Sequence, residues 1–218
     1  MIDLAQQEAL EELAAEHIPE FWRTGRLRYK LDPHQQRVYD KYRAWEAALA
    51  AYLRTRGPET RAEIARGMIR CFVLDIGRRW GKTFLVALIR VEDCLRRANA
   101  VITYATAFQS DIVELIQPML EDLFEDCPDD LRPTYNRSRK TWLFKNGSKL
   151  KLVGIDKNPR GMRGKASDGF NVTEAGHVRN LAHTIGTVIY QQFQRRPWAT
   201  LILESNAPED PEHDFDRI

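Results

Sequence analysis

One short segment has residue types suited to binding a phosphate group. It reads Gly77-Arg78-Arg79-Trp80-Gly81-Lys82-Thr83. Backbone N–H groups around Gly81 can surround a phosphate, Lys82 can reach its oxygens, and the Thr83 hydroxyl can ligate Mg²⁺. The backbone of three further loop residues is expected to complete the cradle: Gly77, Arg79 and Trp80. The first glycine of the usual pattern falls on Ile76, so the alternative is a plain helix start after a flexible turn.

The elements on either side of this loop favour phosphate binding. An apolar run at 71–74 predicts a buried parallel strand, and residues 82–95 predict a helix that is apolar on most sides. A phosphate-binding loop needs this strand-to-helix context. The alternation then continues, with strands at 101–104, 170–173 and 200–203 and helices at 112–123 and 181–194. This order predicts a parallel sheet with helices on its faces.

The N-terminal part of the chain has a helical character. An Ala-, Leu- and Glu-rich run predicts a helix over 2–16, followed by an irregular aromatic and basic stretch from Phe21 to Tyr29. Apolar residues at helical spacing predict a second helix from Pro33. Pro58 suits the start of a third helix, because proline is tolerated in a first helical turn.

A hairpin interrupts the strand and helix alternation. Strands at 141–144 and 149–153 flank Asn146-Gly147, a pair that predicts a type I′ turn. Basic residues are dense here, which suits contact with DNA phosphates, a solvated face or a contact with an acidic surface: Arg132, Arg137, Arg139, Lys140, Lys145, Lys149 and Lys151. The glycine- and arginine-containing residues 156–169 predict a mobile basic loop.

Composition excludes several protein classes. The net charge is only +2, so the chain as a whole carries no nucleic-acid signature. The three cysteines have no CxxC spacing, which indicates neither a disulfide framework nor a zinc site. No apolar stretch is long enough to span a membrane, and the acidic N-terminus is unlike a signal peptide. We therefore expect a soluble intracellular protein with no membrane partner.

Three further segments carry motifs that fall in a family order with the phosphate loop. They read Leu31-Asp32-Pro33-His34-Gln35-Gln36, Phe170-Asn171-Val172-Thr173-Glu174-Ala175 and Leu203-Glu204-Ser205-Asn206-Ala207-Pro208. Together with an arginine inside the phosphate loop, Arg78, they resemble the N-terminal ATPase domain of phage terminase large subunits over about residues 31–215. The resemblance implies a RecA-like P-loop NTPase fold of the ASCE type: an α/β structure with a mostly parallel central sheet, flanking helices and a β-hairpin insertion.

The resemblance also implies roles for individual side chains. Gln35 would read the adenine, with Gln36 close behind, because an amide can donate to and accept from one base edge. Arg78 would sense phosphate in cis, since a guanidinium can bond phosphate oxygens bidentately; a solvated arginine is the alternative. Ser205 and Asn206 would sense the γ-phosphate, although the same residues suit an ordinary turn.

The catalytic carboxylate and its metal partner come from the segment ending in Thr173-Glu174. Glu174 matches the glutamate that positions the attacking water, and its alternative is an ordinary helix-start acid. Thr173 stands where the family has an aspartate that supports Mg²⁺. The metal would then depend on Thr83 and on a carboxylate such as Asp75 or Asp168.

A second arginine is implied in catalysis. Arg163 matches a family arginine that acts on the ATP of a neighbouring subunit, with Arg160 in reserve; a loop that contacts only DNA or solvent is the alternative. Such a residue can contribute roughly 10³–10⁵ in kcat.

The implied function is an ATP- and Mg²⁺-dependent motor that moves double-stranded DNA into a capsid. Its implied partners are DNA, further copies of itself in a ring, the capsid portal and the terminase small subunit. We expect it in the host cytoplasm, transiently docked on the procapsid. The expected division is a helical arm with the adenine-sensing segment at 1–57 and the ATPase core at 58–218, without the family's C-terminal nuclease domain. The alternatives are another P-loop motor such as a helicase, or a weakly hydrolysing assembly module.

Overall fold

The computed structural model describes residues 16–56, 70–155, 166–193, 196, 198–208, 210 and 212–218. Three predicted features lie outside the described residues: nearly all of the helix at 2–16, the helix start at Pro58, and the loop with Arg160 and Arg163. The boundary between residues 57 and 58 also falls there, so the domain division stays a prediction.

A seven-stranded sheet forms the centre of the molecule. Its strands are β1 (Cys71–Asp75), β2 (Val101–Thr106), β3 (Thr134–Asn136), β4 (Thr141–Leu143), β5 (Lys149–Gly154), β6 (Gly169–Thr173) and β7 (Thr200–Ser205). Their order across the sheet is β1-β7-β6-β2-β5-β4-β3. The five strands from β1 to β5 in this order are parallel, and β4 and β3 are antiparallel additions at one edge. The mostly parallel sheet is confirmed.

Helices cover the sheet. They are α1 (16–24), α2 (Pro33–Arg56), α3 (Lys82–Arg96), α4 (Ile112–Ile116 with π-type geometry, then Gln117–Leu123), α5 (Leu181–Thr184, a π-type turn Ile185–Ile189, then Tyr190–Gln192) and α6 (Asp214–Arg217). Two separate clusters of buried apolar side chains account for the packing. None of the helices in the described ranges is long and apolar enough to cross a membrane.

Helix α3 holds the layers of the fold together. Most of its side chains are buried, which agrees with its apolar residues on most sides. The guanidinium of Arg90 is fully buried and donates to the carbonyl oxygens of Phe170 on β6 and Thr200 on β7. Glycine is needed where Gly169 passes Arg90, because an added Cβ would lie 2.7 Å from its Nη1. Helix α3 is therefore bonded to the two strands at the centre of the parallel sheet.

The segment predicted to be irregular from Phe21 to Tyr29 is wrong in its first part, since α1 continues through residue 24. Trp22 is fully buried and packs in the main apolar cluster, which explains why this turn is helical. The chain after α1 is bonded to the far end of α3. Leu27 donates its backbone N–H to the buried carboxylate of Glu92, and Arg96 donates to the carbonyl oxygen of Gly25 at 2.7 Å.

The predicted hairpin is present, but its turn type is wrong. A type I′ turn needs positive φ at both central residues. Gly147 has φ of 84°, whereas Asn146 is not among the described residues with positive φ. Gly147 instead donates its N–H to the carbonyl oxygen of Phe144, and the Asn146 side chain donates to the carbonyl oxygens of Cys94 and Leu95. The turn thus satisfies the C-terminal end of α3, a tertiary role that overrides the local preference.

Candidate functional site

A cavity of about 400 Å³ opens at the carboxyl-terminal edge of the parallel strands. Its lining combines the loop after β1, the residue after β6 and the segment after β7: Arg78, Arg79, Gly81, Lys82, Thr83, Glu174, His177 and Asn206. Strand order explains the convergence, because β7 lies between β1 and β6. Ligands of open parallel sheets bind at this edge.

The loop after β1 has the backbone of a phosphate cradle. Gly81 has φ of 84° and directly precedes the first turn of α3. Arg79 also has a positive φ, 62°, which is uncommon for a residue with a side chain. The free N–H groups at the start of α3 point toward the cavity end of the helix, where an anion is favoured by both hydrogen bonding and the helix dipole.

Lys82 bridges two strand ends. Its ammonium group donates to Asn206 Oδ1 at 2.9 Å and lies 4.0 Å from Glu204 Oε2. Only 5% of Lys82 is exposed, so the lysine is held in place by polar partners on β7 and just after it. A buried lysine of this kind is already aimed at the cavity and needs little reordering to meet a phosphate.

Thr83 and Glu204 form a second polar pair. Thr83 Oγ1 donates to Glu204 Oε1 at 3.1 Å, and Glu204 is fully buried near the end of β7. Burial raises the pKa of Glu204 to about 7, although Lys82 opposes the shift. Sequence reasoning missed this carboxylate. Its signal was an acid closing an otherwise apolar strand, Thr200-Leu201-Ile202-Leu203-Glu204.

Glu174 follows β6 in a left-handed backbone conformation with φ of 54°. Such a conformation is costly for a non-glycine residue and is common at functional sites. Its Oε2 atom is buried, makes no hydrogen bond within the described residues, and lies 4.0 Å from His177 Nε2. Sequence reasoning did not anticipate His177. The carboxylate therefore has an acceptor atom directed to the site and unused by its protein neighbours.

Four of the sequence-predicted residues lie beside the cavity without lining it. The Ser205 hydroxyl accepts from the N–H of Gly176 and thus connects β7 with the turn after Glu174. Gln35 is buried against Gly81, and the Trp80 carbonyl oxygen contacts His34 Nε2 at 3.2 Å. Gly77 is exposed and has open space around its Cα. Arg163 lies outside the described residues.

The residues present fit a magnesium ion. Mg²⁺ prefers hard oxygen donors and one or two carboxylates beside a substrate phosphate. The Thr83 hydroxyl and the Glu204 carboxylate supply such oxygens, and Glu204 Oε2 makes no hydrogen bond within the described part of the chain. The carboxylates suggested from sequence fit less well. Asp168 lies at the opposite end of β6, bonded to Val101 and Trp198, and Asp75 is exposed at the end of β1.

Comparison with known proteins identifies the family. The family model "Terminase large subunit, T4likevirus-type, N-terminal" matches residues 73–184, about half of the 218-residue chain. The chain belongs to this terminase family. The matched region contains the phosphate loop and Glu174 and ends before β7. A search of curated protein sequences found no match.

Solved structures share the terminase fold at low sequence identity. The ATPase domain of the Thermus phage P74-26 large terminase is 16% identical with a TM-score of 0.51, covering 74% of this chain and 68% of that one. The HK97 large terminase is 16% identical with a TM-score of 0.54, covering 81% and 33%. The large terminase of another thermophilic bacteriophage is 14% identical with a TM-score of 0.52, covering 74% and 38%. The RecA-like fold is thereby confirmed, while the chain spans little more than a third of the longer terminases.

Proposed function

We propose that this chain is the ATP-hydrolysing motor of a phage terminase, which moves double-stranded DNA into a capsid. The observation that carries the proposal is the convergence of Lys82, Thr83, Glu174 and Asn206 on one cavity at the edge of the sheet. Family membership and the shared fold of terminase ATPase domains support it.

Each residue has a defined part in this chemistry. Lys82 and the N-terminal N–H groups of α3 bind the phosphates, and the exposed guanidinium of Arg78 bonds the γ-phosphate oxygens. Glu174 accepts a proton from the attacking water and orients it. Asn206 holds Lys82 and so relates the state of the phosphates to the end of β7. When bound, Mg²⁺ neutralises charge on the phosphate oxygens, with Thr83 among its ligands.

The remaining parts of the proposal concern assembly. Further copies of the chain form a ring in which Arg163 of one copy reaches the nucleotide of the next, with Arg160 in reserve. The ring binds double-stranded DNA, the capsid portal and the terminase small subunit. It works in the host cytoplasm, docked on the procapsid during packaging.

Nucleotide binding and phosphate release, measured on the same preparations, test the proposal. Lys82→Ala is expected to weaken ATP binding about 10- to 100-fold, since a charged hydrogen bond contributes roughly 1.5–3 kcal/mol. Glu174→Gln should keep ATP binding and lower kcat by roughly 10²–10⁴. Lys41→Ala, an exposed change on α2, is the matched control and should behave like the parent protein.

Protein concentration separates the ring from the single domain. Phosphate release per subunit should rise with protein concentration, and Arg163→Ala should remove that rise while leaving ATP binding intact. If the parent binds ATP but releases no phosphate at any concentration, even with DNA and portal, the motor proposal fails and an assembly module takes its place. Strand separation of duplex DNA would instead favour a helicase.

A further inference from the structure

One position of this chain departs from its family in a way that affects the metal site. Thr173 ends β6 where the family has a carboxylate. Its side chain is buried and donates a hydrogen bond to the Tyr104 hydroxyl at 2.9 Å. Threonine brings no negative charge, so β6 offers the metal no carboxylate of its own.

A carboxylate lies directly beside this position on the next strand. Thr173 and Glu204 are register partners in the parallel pair β6 and β7. Because β7 lies between β6 and β1, Glu204 is also next to the helix that carries Thr83. The Thr83 hydroxyl donates to Glu204 Oε1 at 3.1 Å. The carboxylate thus lies between the family's acidic position and the hydroxyl expected to ligate Mg²⁺.

The surroundings of Glu204 are unfavourable for a carboxylate with only a packing role. It is fully buried, and its Oε2 atom makes no hydrogen bond within the described residues, while Lys82 Nζ is 4.0 Å away. Burying a carboxylate with an unsatisfied oxygen opposes folding, and an apolar residue would be favoured if packing alone mattered. A divalent cation beside Thr83 would compensate such a group, because Mg²⁺ favours carboxylate oxygen.

We propose that Glu204 supplies the carboxylate that supports Mg²⁺ in this chain, so that the acidic group has moved by one strand from β6 to β7. The inference rests on the proposed nucleotide binding and deepens it. The acid and its hydroxyl partner on α3 then form the protein's side of the metal site, and Glu174 remains free to act on water.

Metal-dependent nucleotide affinity tests this assignment without relying on turnover. Binding of a fluorescent ADP analogue is measured in EDTA and in Mg²⁺, and Mn²⁺ bound together with ADP is followed by electron paramagnetic resonance. Glu204→Gln should keep the affinity seen in EDTA, lose the Mg²⁺ enhancement, and weaken Mn²⁺ binding by about 10- to 100-fold. Asp75→Asn, which changes the exposed carboxylate ending β1, is the matched control and should retain the enhancement.

A transferred carboxylate provides the decisive arm. Thr173→Asp combined with Glu204→Gln returns an acid to the register partner and should restore Mg²⁺-dependent affinity. Loss in the single variant with return in the double variant supports the proposal. A Glu204→Gln protein with the parent's Mg²⁺ enhancement overturns it, and so does loss without return, which would assign Glu204 to packing.

Failure of this inference is distinguishable from failure of the proposed function. A parent protein that binds ADP in neither EDTA nor Mg²⁺ contradicts nucleotide binding itself. A parent that binds ADP equally in both contradicts only the metal assignment. If Glu204→Gln does not fold, Glu204→Asp makes the same comparison, because it keeps the charge and withdraws the carboxylate from Thr83.

Discussion

Gln35 and Gly81 are in direct contact although 46 positions separate them: Gln35 Nε2 donates to the carbonyl oxygen of Gly81 at 3.1 Å. The other end of the same amide accepts from the N–H of Asp32 at 3.0 Å. The side chain thereby fastens the phosphate loop to the start of α2. Its implied reading of adenine remains a proposal beside this contact.

The two glycines of the loop should respond differently to a methyl group. At Gly81 an added Cβ would lie 2.3 Å from Gln35 Nε2, and φ of 84° strains any side chain. Gly81→Ala is therefore expected to reduce stability by about 1–2 kcal/mol and to weaken nucleotide binding. Gly77→Ala meets nothing within 4 Å and should leave both unchanged. Thermal melts and ADP titrations make the comparison, and equal effects at both glycines would contradict it.

Replacing Gln35 should weaken nucleotides of either base. Gln35→Ala removes the bond to the loop, and one hydrogen bond corresponds to about 0.5–1.5 kcal/mol, or roughly 2- to 12-fold in affinity. Because both ends of the amide bond to backbone groups, we expect similar losses for ADP and GDP. Parallel titrations check this. A loss confined to ADP would support base reading instead.

Glu92 should be among the most sensitive positions outside the cavity. It is fully buried and accepts from the backbone of Leu27, from Tyr39 and from Arg43. Glu92→Ala leaves a buried guanidinium without its partner, and such losses are about 3–5 kcal/mol. The exposed pair of Arg23 and Asp130 is the control, since Asp130→Ala should change the free energy of unfolding by less than about 0.5 kcal/mol. Urea unfolding compares the two.

Asp93 should contribute to acid sensitivity. Burial disfavours its ionised form, but the guanidinium groups of Arg43 and Arg90 outweigh burial and hold the pKa of Asp93 below its ordinary value of 3.8. A lowered folded-state pKa stabilises the protein above that value, and the contribution is lost as the pH falls through the lower pKa. Asp93→Asn should thus be less stable than the parent at pH 7, and the difference should shrink below about pH 4.

Urea midpoints at several pH values check the Asp93 prediction. The exposed Asp40 pairs with Arg28 at the surface and serves as the comparison, because solvent screens that pair. Asp40→Asn should have little effect at any pH. A constant difference between parent and Asp93→Asn from pH 7 to pH 3 would show that its charge is not responsible.

Within the basic segment considered for DNA, Arg132 should matter for folding. Its guanidinium donates to the carbonyl oxygens of Phe124, Glu125 and Cys127 after α4. Arg132→Ala leaves these acceptors without their donor and is expected to cost about 1–3 kcal/mol. The exposed Arg137→Ala should keep stability, so that any change in DNA retention reports contact alone. Melting curves and DNA binding at two salt concentrations separate these effects.

The sheet and the phosphate loop could be predicted because their signals are local. Apolar runs mark β1, β2, β6 and β7, and Gly81-Lys82-Thr83 marks the start of α3. Convergence at one edge then follows from parallel strands joined by helices. The sequence also indicated that Thr173 lacks the expected charge.

What could not be predicted depends on contacts between distant segments. Strand order is needed to see that β7 lies beside β6, and without it Glu204 is only an acid at a strand end. The turn at Asn146 follows the tertiary bond of its side chain to the end of α3. The π-type turns at 112–116 and 185–189 left no sign in the apolar periodicity that predicted two continuous helices.

Helix α3 has a mechanical consequence. It begins at the lysine of the phosphate loop, and near its other end Glu92 and Arg96 are bonded to the backbone at Leu27 and Gly25. A 15-residue helix is about 22 Å long, so a tilt of roughly 3° about its first turn displaces the far end by about 1 Å. The helix is thus a lever, and a small push delivered at its phosphate end arrives enlarged at the N-terminal arm.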